Sequence, residues 1–61
     1  MIREFDYFRA RVCINEEYEN GDVDAKIFPN KHDIEFVGSR FSREAFRKIL
    51  DEIREGKLKL R

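Results

Sequence analysis

His32 and Cys13 are the two side chains of this chain whose chemistry could turn over a substrate at neutral pH. General acid or base work requires a partner within hydrogen-bond reach of the imidazole. His32 stands beside Asp33 in a segment rich in turn residues, away from any candidate nucleophile, and reads as a turn residue. Cys13 has Arg11 two positions earlier on the same strand face, an arrangement that lowers a thiol pKa. Its position in an alternating run nevertheless suits a small, semi-apolar strand residue. The acidic segment Glu16, Glu17, Glu19, Asp22 and Asp24 is a third candidate, as a metal loop. It lacks the D-x-[DN]-x-[DN]-G rhythm and the later glutamate of a calcium site. No cluster has the spacing of a catalytic, cofactor or metal centre, so the expectation is a binding module rather than an enzyme, with no cofactor.

Charge is then the main functional signal. The 61 residues contain 13 basic and 13 acidic side chains. Their distribution is uneven: residues 1–38 carry 9 acidic and 5 basic side chains, and residues 39–61 carry 4 and 8. A short stretch of one sign steers partners of the other sign. Glu16, Glu17, Tyr18, Glu19 and Asp22 are therefore the candidate contacts for a basic protein partner, with charge setting the on-rate and Tyr18 supplying buried area. The competing reading uses Arg9 and Arg11 on a sheet face and Arg43, Arg47 and Arg54 along a helix edge to bind nucleic acid. Against it, Asp24 and Glu35 can pair with the sheet arginines, and Glu44–Lys48, Arg47–Asp51 and Lys48–Glu52 stand four apart on the helix. A pI near 6.6 also lacks the positive balance of a phosphate binder.

The elements that position these residues follow from periodicity. Phe8, Ala10, Val12 and Ile14 alternate with Arg9, Arg11 and Cys13, the pattern of a half-buried strand. Asn20-Gly21 suits a two-residue type I′ hairpin turn. Pairing around it sets Tyr18 opposite Val23, Glu16 opposite Ala25 and Ile14 opposite Ile27, which puts both apolar sets on one face. Pro29 cannot donate to a ladder, so the second strand ends near Phe28. A third strand is expected over Ile34–Val37, with Ile34 and Phe36 inward and Gly38 closing it. Ser42 is a good helix N-cap, and Phe41 can staple onto Phe46. Ala45, Phe46, Ile49, Leu50 and Ile53 form one apolar stripe, and Gly56 suits the left-handed residue that ends a helix. Lys57–Arg61 alternates as a short fourth strand would, and equally suits a tail. The expected fold is α+β: a three-stranded antiparallel sheet, β-β-β-α(-β), covered on one face by a single helix and forming one domain over residues 1–61.

At this size a chain hides only roughly 60% of its unfolded surface, so self-association as a dimer is expected to add stability. One cysteine closes no intrachain disulfide. The charged N-terminal residues exclude a signal-peptide core, and no apolar run approaches the ~20 residues of a membrane span. The expected location is the cytoplasm, with Cys13 reduced.

The run Phe8-Arg9-Ala10-Arg11-Val12, the acidic loop with Gly21, Ala25-Lys26-Ile27-Phe28-Pro29-Asn30, Gly38, Ser42-Arg43-Glu44-Ala45 and Ile49-Leu50-Asp51-Glu52-Ile53 together resemble the core of HicB-type antitoxins. The resemblance spans about residues 8–55, and Asn30 stands where that family carries an acidic residue after proline. It implies a truncated RNase H-like fold without catalytic activity, which oligomerises and neutralises a small basic ribonuclease. A stand-alone inhibitor of the same shape, such as a phage protein directed at a host enzyme, fits the same residues.

Overall fold

The computed structural model describes residues 3–58. Four antiparallel strands form one sheet in the order β1-β2-β3-β4, with β1 at Arg3–Tyr7, β2 at Ala10–Glu17, β3 at Val23–Phe28 and β4 at Val37–Phe41. The helix α1, Arg43–Arg54, follows β4 directly. The α+β class and the single helix agree with the sequence reading, but the sheet has four strands and its fourth member is β1, at the N-terminal edge. Phe5 and Tyr7 alternate there with Glu4 and Asp6, and each faces a β2 residue across the ladder, Phe5 against Val12 and Tyr7 against Ala10. The C-terminal strand expected over residues 57–61 falls in part outside the described residues. Lys57 and Leu58 are not in a strand, and Leu58 packs against the core.

One face of the sheet carries Ala10, Val12, Ile14, Ala25 and Ile27, all at most 4% exposed. Helix residues Phe46, Ile49, Leu50 and Ile53 close over that face, with Ile53 fully inside the cluster. Ala45, expected on the same stripe, is exposed. The helix begins where the cap chemistry places it: the Ala45 N–H donates to Ser42 Oγ at 3.1 Å, and the Phe41 and Phe46 rings lie 6.2 Å apart. It ends through Gly56, whose φ of 74° lets the Lys57 N–H reach back to the Glu52 carbonyl at 2.8 Å.

The first expected hairpin forms, but with a different register. Of Asn20 and Gly21, only Gly21 has positive φ (95°), so the turn is not type I′. Instead the Tyr18 N–H donates to the Asp22 carbonyl, and the Gly21 N–H donates to the Tyr18 carbonyl. The loop is therefore Glu19-Asn20-Gly21, the three-residue form in which a glycine follows a tight turn. Glu17 pairs with Val23 and Glu16 with Asp24, one step from the expected register. Left alone, that step would pair Ile14 with Lys26 and reverse the faces. A bulge at Asn15 adds a second step, after which Ile14 pairs with Ala25 and Val12 with Ile27. Two one-residue offsets restore the parity, so the expected apolar residues do share the buried face, and Glu16 moves off it to stand beside Asp24.

Two further expectations are corrected. Phe8 is not a core strand residue: it occupies the β1–β2 turn, 60% exposed, with φ of 57°. The third strand of the reading lies later than Ile34–Val37. Ile34 is 90% exposed in the β3–β4 loop, and Phe36 packs on the sheet face opposite the helix, 5.4 Å from Phe28. Gly38 is a strand residue, and a Cβ there would stand 3.1 Å from the Phe36 ring.

Candidate functional site

The β2–β3 hairpin gathers the acidic residues at one end of the sheet. Glu16 and Glu19 are exposed, and neither they nor Asp24 has an ion-pair partner among the described residues. Glu17 is turned to the other side by the register shift and is bound by Arg3. Asp22 accepts from Arg40 Nε at 3.0 Å, and the Arg40 guanidinium lies 3.8 Å from the centre of the half-buried Tyr18 ring. Stacking of this kind holds a ring in one orientation. Arg43, the first helix residue, borders Gly21, so a Cβ on that glycine would stand 3.4 Å from Arg43 Nε. All five residues expected to contact a partner lie at this end of the sheet, but Glu17 points to the opposite face from Glu16 and is bound by Arg3, Asp22 is bound by Arg40, and Tyr18 is braced. The sequence reading missed Arg40, because it placed the third strand too early. Once β4 is seen to run through Ser39 and Arg40, the pairing of Asp24 with Arg40 follows.

The five arginines of the nucleic-acid reading do not share a surface. Arg43 lies at the acidic tip. Arg47 is exposed along the helix, and Arg54 pairs with Asp51 at 3.4 Å. Arg11 pairs with Asp6 at 3.6 Å rather than with Asp24 or Glu35. Arg9 sits in the β1–β2 turn at the end of the sheet opposite the tip, where its carbonyl accepts from the Lys31 N–H at 2.8 Å.

His32 is exposed, and its backbone N–H is tied to Asn30 Oδ1 at 3.0 Å. Cys13 is buried on the sheet face opposite the helix, its thiol donating to Glu4 Oε2 at 3.4 Å. Burial pushes the thiol pKa up, and the hydrogen bond and negative charge of Glu4 push it further, outweighing the opposing pull of Arg11 and Lys26. Among the described residues no group of three His, Cys, Asp or Glu side chains is placed to hold a metal ion. No helix among them is long and apolar enough to cross a membrane.

Fold and site together define a small α+β unit with a braced acidic hairpin tip. Compared with known proteins, the chain matches no family model, no curated protein and no solved structure.

Proposed function

We propose that this chain is a non-catalytic inhibitor module of antitoxin type, docking its β2–β3 tip on a basic protein such as a nuclease or another nucleic-acid enzyme. The observation that carries the reading is the tip: among the described residues Glu16, Glu19 and Asp24 form no ion pair, at the end of a hairpin whose Tyr18 is held under Arg40. Unpaired carboxylates on a rigid support keep their field for an incoming cation and lose little side-chain freedom on docking. The succession β2, acidic loop, β3, proline turn, β4, capped helix is also the order of elements in the HicB-type core, with β1 added at the edge. In this reading the protein acts in the cytoplasm, and a homodimer adds the buried area that so short a chain lacks.

The test uses association kinetics against basic ribonucleases, with inhibition of RNA cleavage measured in parallel. Joint Glu16→Lys and Glu19→Lys substitution is expected to slow association at least tenfold at low salt, with much less effect at high salt. Equal association rates for the two proteins would remove the tip from the interface.

A further inference from the structure

The end of the sheet opposite the acidic tip carries an open groove of about 520 Å³ lined by Phe8, Arg9, Asn30, Lys31 and His32. We infer that this groove binds single-stranded nucleic acid, with a base stacked on Phe8 and the adjoining phosphate held by Arg9. The inference is independent of the tip and of any protein partner docked there.

Phe8 is the first observation. The β1–β2 connection is a two-residue loop, Phe8-Arg9, flanked by the paired Tyr7 and Ala10. Positive φ at the first loop residue is the type II′ geometry, a position that favours glycine. A bulky side chain at φ 57° is strained backbone, and such strain is kept where the surroundings or the function require it. The core does not require it, since Phe8 is 60% exposed and stands outside the buried cluster of the described residues, its ring meeting the Tyr7 ring edge-on with centroids 4.9 Å apart. An aromatic face is thus held open to solvent where glycine would be easier for the chain.

The charges around it are the second observation. Asp6 engages both Arg11 and Lys31, at 3.6 and 3.7 Å, which leaves Arg9 as a groove cation without an ion-pair partner among the described residues. The backbone bond from Lys31 N–H to Arg9 carbonyl joins the two loops that form the walls, and Asn30 fixes the His32 backbone by its side chain. Arg9 and Asn30 also border a smaller recess of about 190 Å³ with an apolar floor of Pro29, Ile53 and Leu58. Arg9 borders both recesses, one of them walled by the Phe8 ring, so a cation for a phosphate stands next to a face on which a base can stack. Stacking on aromatic residues with cationic tracking of the backbone is how single strands are held without sequence preference. A duplex, with its bases already stacked, does not present them to Phe8.

The test titrates the full chain with fluorescein-labelled oligouridylate, oligothymidylate and a duplex of the same length, at about 50 mM and about 200 mM salt. Both single strands are expected to bind, better than the duplex and more weakly at the higher salt. Phe8→Gly is expected to lower single-strand affinity about tenfold while keeping or raising Tm, because it relieves the strained turn. Phe8→Trp should retain binding, and Arg9→Ala should weaken it and flatten the salt dependence. Four results would overturn the inference: no single-strand binding at the lower salt, equal binding of the duplex, affinity unchanged by Phe8→Gly, or an acidic peptide bound as tightly as the oligonucleotides.

Discussion

Cys13 shows how burial and a neighbour decide the chemistry of one side chain. Arg11 was the visible influence in the sequence and would have activated the thiol; Glu4, brought alongside by β1, acts the other way together with burial. A thiol whose pKa is raised in the folded state keeps its proton there after the unfolded chain has lost its own. The unfolded state therefore binds fewer protons above the ordinary thiol range, and stability falls as pH rises through that window. Tm measured from neutral to alkaline pH should decline less steeply for Cys13→Ala than for the parent protein. Parallel profiles would show that the thiol contributes nothing. At the same scale, Phe8 and Ile34 were read as core because apolar type is a one-way guide to burial, and neither position carries a marker of its exposure. Gly38 differs for another reason: a glycine after an apolar run suits the end of a strand, whereas here its missing side chain makes room for the Phe36 ring over the strand.

Among the elements, the helix was legible from end to end because its boundaries rest on local chemistry: the Ser42 hydroxyl, the Phe41–Phe46 contact and the left-handed Gly56. Replacing Ser42 by Ala is expected to cost about 1 kcal/mol, read as a lower urea midpoint with an unchanged slope, while Ser42→Gly should cost only a few tenths. Loss of the same amount from both variants would mean that the cap bond is not the cause. The β1 strand was illegible because Phe8-Arg9 contains none of the residues that announce a turn. The hairpin lay between these extremes: its faces could be read from alternation, but the Asn15 bulge has no local signature and shifted the pairing. The edge strand also bears on assembly. A second copy added antiparallel along β1, centred on Phe5, would set Glu4 against Asp6 of that copy, and like charges opposed across a ladder are destabilising.

For the whole molecule, the sheet separates two surfaces by charge. The β2 strand has 8 residues between the groove turn and the acidic tip, a separation of about 25 Å. The candidate tip was legible because its carboxylates are contiguous in sequence. The groove was not, because Phe8 and Arg9 meet Lys31 and His32 only when β1 and β3 have both been placed. So small a body rests on few buried side chains, and Ile53 is the only helix residue fully inside. Total stability for this length is roughly 3–9 kcal/mol, and truncating a buried isoleucine costs about 2–5 kcal/mol. Ile53→Ala should therefore leave a substantial unfolded fraction, measured by urea titration with circular dichroism. A loss below about 1 kcal/mol would contradict the proposed core.

Asn15 is the one residue left over between two rungs: deleting it would leave Ile14 against Ala25 and Glu16 against Asp24 as neighbouring pairs of a regular ladder. What a bulge changes is the direction of the strand beyond it. Asn15 thus works as a swivel between foundation and beak, and loss of that residue can re-point the carboxylates at a differently shaped target while the buried floor beneath stays as it is.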